Sequence, residues 1–288
     1  RLEMTANPTY WRGKPQIDNL IFQTVPEAST RVALLEAGDV DIITTISPDD
    51  LPIIESNDKL RVESALTTFR VHIGVPTNQP KWADRRARMA LNYAINVENI
   101  IEFVLNGLPG ERLRTPVITP GWENPDIQAY TYNPDEATAL LNAAGFPFDE
   151  PITLYTTAAG MKRLDVAQAI ASDLQAIGMK VEVEVLEPSV HTDRLRAREF
   201  DDLYIHQLGA PSYGPIETAL PTGDLGLDAS HFIDGTENGP KYREIYDQVR
   251  VTFDEAQQHD MVNQLQALFM EEPPWILLYR EVYLFGVN

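Results

Sequence analysis

The sequence predicts an α/β fold, a mixed sheet flanked by helices. Two observations carry this. Between residues 152 and 208 the apolar period switches from strand to helix and back, giving β-α-β-α-β. Outside that block, Phe69–Val75 and Trp275–Val287 are further runs rich in β-branched and aromatic residues, which add strands to the same class of sheet.

The elements follow in order. Residues 17–25 (IDNLIFQTV) alternate and are bounded by prolines, as a strand does. Residues 27–37 form a helix, with Gly38 placed to end it in the left-handed conformation. Residues 39–44 are a second strand, and this β-α-β spacing suggests a parallel pair. Ser47 followed by Pro48 opens a short helix as cap and first residue. Residues 60–66 are another strand. After Phe69–Val75 comes a helix with Ala87, Ala90, Leu91, Ala94 and Ile95 on one face and Asp84 as its N-cap. Arg85, Arg86 and Arg88 lie at its start, the end where the helix dipole disfavours cations. They read either as a solvated face or as tertiary ion-pair partners.

Residues 97–105 extend the helical region to Gly107. A Pro- and Gly-rich loop then runs over 108–126, and loops of that length are often functional. Asn133-Pro134-Asp135-Glu136 opens a helix that Gly145 stops. Strands at 152–157, 180–186 and 202–208 alternate with helices at 161–177 and 188–198, and helices at 241–253 and 255–270 follow.

The chain has 288 residues, 43% of them hydrophobic, enough to bury a substantial core. No apolar run is long enough to span a membrane as a helix. The start, RLEMTANPTYW, lacks an apolar signal core and reads as the middle of a longer protein. Net charge is −20, from 43 acidic and 23 basic residues, and such a surface repels phosphate backbones, so no nucleic-acid partner is expected. The absence of cysteine excludes disulfides and thiolate chemistry.

Catalytic signals are scarce. None of the five histidines forms H-E-x-x-H, and no G-x-S-x-G, P-loop or G-x-G-x-x-G is present. No cofactor or metal is expected. Asp201-Asp202 could hold a cation or serve structurally. His259 reads as a surface residue, and His191 as a structural residue on a helix face. His72 and His206 lie on strands that end in turns, where a histidine is either hydrogen-bonded in the sheet or turned to a pocket. The strongest pocket candidate is 208–215, LGAPSYGP, directly after the 202–208 strand. Open α/β sheets bind ligands at that end. Leu208, Ala210, Ser212 and Tyr213 are its candidate contacts, Tyr213 offering a ring and a hydroxyl. Arg112 and Arg114 in the long loop could clamp a carboxylate, though loop arginines are more often simply exposed. Trp82 and Trp122 read as packed.

Several segments carry a resemblance. Asp84 to Asn96, DRRARMALNYAIN, resembles the D-x-R-V-R-x-A-L-N-Y-A-I-D signature of family 5 extracellular solute-binding proteins, with Ala87, Met89 and Asn96 as departures. NPTYWRGKP at 7–15 is similar to that family's N-P-x-Y-W-x-G-K-P, LLEAGDVD at 34–41 to L-x-x-G-x-V-D, and Tyr132 to Phe146 to Y-D-P-x-x-A-x-x-L-L-x-x-A-G-F. The LGAPSYGP loop resembles W-G-A-P-Y-D-P of the nickel-type members, but Leu208 replaces Trp and no Asp follows Tyr213. Peptide-binding members use an Asp in this loop against the peptide amino group, so the resemblance does not extend to that contact.

The resemblance implies a periplasmic-binding-protein-like lobe of the class II type, with two crossover strands to a partial second lobe. It implies partial lobe I at 1–68, a first crossover at 69–75, lobe II at 76–274, and a second crossover at 275–288. Thr77 and Asn78 would then lie on the hinge side of the cleft. The implied function is the extracytoplasmic solute-binding component of an ABC importer. Such a protein captures an oligopeptide or similar solute between two lobes, hands it to a membrane permease unchanged, and acts as a monomer. Its signal segment would lie outside this stretch. With most of lobe I absent, weak or no binding is expected of this stretch alone. A hydrolase on the same scaffold, or a sensor or structural domain that has lost its solute, are the alternatives.

Overall fold

In a computed structural model of the chain, which describes residues 1–108, 112–209 and 228–288, strand and helix alternate over 151–209 as the sequence predicts. The chain divides into two compact units, Arg1–Ser64 with Tyr283–Asn288, and Ala65–Val282.

The larger unit is built on β5 (Pro151–Thr157), β6 (Lys180–Leu186) and β7 (Leu203–Gly209), with β5 parallel to both β6 and β7. The crossover helices are α7 (Arg163–Ala176) and α8 (Pro188–Ala197). Strand β7 then pairs antiparallel with β4 (Arg61–Gly74), from Phe69 opposite Gly209 to Gly74 opposite Tyr204. Strand β8 (Trp275–Val287) lies on the other side of β4, so the sheet is mixed. No Gly or Pro interrupts Leu66 to Phe69, and β4 runs as one strand where the sequence suggested two.

Both faces of this sheet are covered. Ile276 and Leu278 of β8 join Val71, Ile73, Leu154 and Ile205 in one core, while Trp275 and Leu277 join Leu208, Phe232 and Phe269 in another. A strand buried on both faces needs a continuous apolar run, which explains WILLY. The first core is closed by α4 (Arg85–Ala94), whose Ala87, Ala90, Leu91 and Ala94 are buried. Leu91 contributes roughly 1.5–3 kcal/mol by leaving water. The Asp84 side chain accepts from Arg86 N at 2.8 Å and so caps α4.

The arginines at that end divide. Arg86 stays on the surface, paired with Asp84. Arg88 is buried and donates to the carbonyls of Trp82, Ala83 and Pro273 at 2.8–3.2 Å, with Glu272 3.8 Å away. Its charge is held by carbonyl dipoles with a distant carboxylate, and burial lowers its pKa to about 10.

The smaller unit holds α1 (Ala28–Ala37), which buries Val32 and Leu35. Gly38 ends it at φ +75°, its N–H reaching Leu35 O and Asp39 N–H reaching Leu34 O. The parallel β-α-β pair does not form. Strand β2 (Asn19–Phe22) pairs antiparallel with β1 (Leu2–Thr5), and β3 (Ile42–Thr44) pairs antiparallel with Phe285–Val287 at the end of β8. Sequence spacing permits a crossover but cannot choose between partners, and here a distant segment supplies the ladder. Gly286 makes that pairing compact: a Cβ there would lie 2.7 Å from Leu35 Cδ2. Ser47 caps the next turn, accepting from Asp49 N at 3.3 Å.

Candidate functional site

A cleft of about 230 Å³ opens on the larger unit. It is made where the segment from Arg112 to Ile118 lies against β8. Arg112 forms a bridge with Tyr279, and Leu113 N donates to Leu278 O at 3.0 Å. The apolar wall is Leu66, Leu113, Val117 and Ile118; the polar groups are Arg112, Arg114, Arg280 and Glu123.

The arginines are held differently. Arg112 is buried, donating from Nη1 to Tyr130 O and from Nη2 to Asn92 O and Oδ1, all within 3.2 Å. Burial lowers its pKa to about 10 and raises that of Tyr130, beneath it, to about 12. Arg112 therefore fastens the loop to α4. Arg114 is half-buried and uses Nη1 on Ile127 O at 2.7 Å. Arg280 is half-buried and uses Nε on Thr67 O at 2.5 Å. Glu123 accepts from Gly121 N at 3.0 Å.

The structure brings Arg112 and Arg114 together and leaves the other candidates elsewhere. His72 and His206 are opposite each other in the β4–β7 ladder, His72 buried and His206 half-buried. Leu208 is buried against the second core. Thr77 is buried with its hydroxyl 2.9 Å from the carbonyls of Ser230 and His231, an anchor for the chain there. Asn78 is exposed. Ala210, Ser212 and Tyr213 lie outside the described residues.

Apart from the cleft, strands β4 and β7 carry polar side chains within the sheet, His72 and His206 on one face and Gln207 on the other. His72 stacks on Trp275, with centroids 4.3 Å apart, and meets His206 edge-on at 5.7 Å. His206 stacks at 5.8 Å on His191, which donates from Nε2 to Ile205 O at 3.1 Å. Burial first, then neighbouring histidines and arginines, lowers His206 to about 3 and His72 well below the usual range; burial is also the main cause that takes His191 to about 4. All three are neutral at pH 7. Arg163 Nη2 reaches Gln207 Oε1 at 3.1 Å and Glu281 Oε1 at 3.7 Å, and Gln207 donates to Glu281. Burial raises the Glu281 pKa. Among the described residues no group of acidic or histidine side chains is arranged to hold a metal ion.

Asp202 is structural, accepting from Lys81 Nζ at 2.6 Å, Trp82 Nε1 at 2.9 Å and Thr153 N at 2.9 Å. His259 is half-buried under Trp122, ring on ring at 3.6 Å. Sequence reasoning missed Arg280 and Glu281. The signal was present, because two adjacent charges interrupt the apolar run of β8.

The fold is that of periplasmic binding proteins. It superposes on the peptide complex of DppA from Helicobacter pylori with a TM-score of 0.82 at 21% identity, covering 99% of this chain and 56% of that one. NikA from Brucella suis in complex with Fe(III)-EDTA gives 0.86 at 23%, covering 99% and 60%. The chain belongs to the bacterial extracellular solute-binding proteins, family 5, whose middle-region model it matches over residues 1–223. Di/tripeptide-binding protein 2 of Pseudomonas aeruginosa is 28% identical over 96% of this chain and 53% of its own length. Heme-binding protein A of Haemophilus influenzae is 30% identical over 69% of this chain and 37% of its own length. The chain thus spans about half or less of these relatives.

Proposed function

We propose that this chain is part of the extracytoplasmic solute-binding component of an ABC importer, which binds a small peptide-like solute and passes it unchanged to a membrane permease. Membership of a family of solute-binding proteins carries the reading. The cleft supports it, with apolar walls and a few convergent polar groups. The larger unit corresponds in this reading to lobe II (76–274), and the smaller to part of lobe I (1–68). Phe69–Val75 and residues 275–288 are the crossover strands, and Asn78 lies toward the solute. The protein acts as a monomer outside the cytoplasm. No helix among the described residues is long and apolar enough to cross a membrane.

A binder and an enzyme differ in what becomes of the ligand. In a thermal melt of the full-length protein, a bound di- or tripeptide stabilises the fold by RT ln(1 + [L]/Kd), about 2.7 kcal/mol at a hundredfold excess over Kd, and Tm rises accordingly. Mass spectrometry of the same sample should recover the peptide intact. Progressive cleavage would replace this reading with a hydrolase. No shift with any peptide, glycan or metal chelate would leave a domain without a solute.

A further inference from the structure

We infer that the cleft of the larger unit binds a carboxylate carried on a short apolar stem, with Arg114 and Arg280 receiving the carboxylate; this rests on the solute-binding reading and names the chemistry of its ligand.

Charge is the first argument. The chain as a whole has nearly twice as many acidic as basic residues, yet this cleft gathers three guanidinium groups against one carboxylate, Glu123. Availability is the second. Arg112 is tied to Asn92 and Tyr130 on both terminal nitrogens. Arg114 is fixed only through Nη1, and Arg280 only through Nε. Those single bonds orient each guanidinium and leave Arg114 Nη2 and both terminal nitrogens of Arg280 with no acceptor among the described residues. Neither arginine pairs with a carboxylate among those residues. A guanidinium with a free edge matches the planar fork of a carboxylate.

Shape is the third argument. The volume, about 230 Å³, is below the roughly 300–1,000 Å³ typical of sites that enclose a drug-sized ligand. It suits an anionic head and a few carbons. Leu66, Leu113, Val117 and Ile118 give that stem an apolar wall, which a bare phosphate would leave unused.

The test is calorimetric titration of full-length protein with Ala-Ala-Leu, its C-terminal amide, 4-methylpentanoate and inorganic phosphate, repeated for R114Q and R280Q with melting curves as the fold control. The expected result is that the free acid binds at least about tenfold tighter than the amide, and that each substitution weakens acid binding more than amide binding so that this preference is lost. Equal binding of acid and amide, unaffected by the substitutions, overturns the inference and leaves the solute-binding reading in place. Binding of 4-methylpentanoate alone, sensitive to both substitutions, upholds the inference and ends the peptide reading. Phosphate binding in preference to both carboxylates overturns the inference, and no binding by any probe overturns both.

Discussion

His72 and His206 occupy directly opposed positions on antiparallel strands, one imidazole edge against the other's face at 5.7 Å. His72 Nδ1 and His206 Nε2 find no hydrogen-bond partner among the described residues. Protonation of either ring would place a cation beside Arg70 and Arg163 in a buried layer.

Acid sensitivity follows from that layer. Each of the three histidines has a folded pKa below its unfolded value, so the unfolded chain takes up the proton more readily. Stability is then complete above pH 6.5 and is lost as pH falls. From pH 6.5 to 5 the loss is on the order of 2 kcal/mol for His72, the most deeply buried of the three, and smaller for the others. Glu281 and Asp228, whose pKa values burial raises, act in the opposite sense, but nearer the carboxylate range. Melts between pH 7.5 and 5 should show Tm falling, and H206Q should flatten the slope. A Tm independent of pH over that range would contradict this account.

Asp202 gathers Lys81, Trp82 Nε1 and two backbone amides onto one buried carboxylate. D202A strands those donors, and the expected loss is about 3–5 kcal/mol by urea denaturation. D202N keeps the shape and should lose less. Equal stability of D202A and wild type would show that the cluster contributes nothing.

Gly74 is opposite Tyr204, whose ring occupies the space a side chain would need. A Cβ at Gly74 would lie 2.0 Å from Tyr204 Cζ. The ring cannot swing aside easily, since its hydroxyl bonds Asp228 and Ala229 N. G74A should lower stability by about 2 kcal/mol or more, and G74A/Y204A should lose less than the sum of its parts. Additive losses in that cycle would rule out the clash.

Arg112 separates a fastening role from a ligand role. R112K replaces the fork with a point charge that cannot serve Asn92 and Tyr130 together, and about 2 kcal/mol of stability should go with it. The same change should speed proteolysis within 113–133, measured by cleavage-site mass spectrometry. Unchanged stability would place Arg112 with Arg114 and Arg280 as a ligand group.

Local signals in the sequence were readable wherever one residue acts on its near neighbours. Asp84 caps α4, Gly38 turns left-handed, and Ser47 caps its turn as spacing predicts. Long-range pairing was not readable. Nothing between residues 19 and 44 reveals that β3 is laddered to residues 285–287. Of the arginines that line the candidate cleft, Arg112 and Arg114 were named from loop chemistry, while Arg280 joins them only because β8 runs alongside. His191 was readable as structural but not as part of the histidine layer, although it shares a helix face with buried Leu195.

Asp228 receives Trp275 Nε1, Tyr204 O–H and both donors of Ser230, while Gly209 admits the Phe69 ring where its own side chain would stand. Both ends of the stretch 210–227 are thus pinned by the scaffold itself. A substitution at either anchor would therefore be felt well beyond it, through Trp275 and Tyr204 at Asp228 and through Phe69 at Gly209.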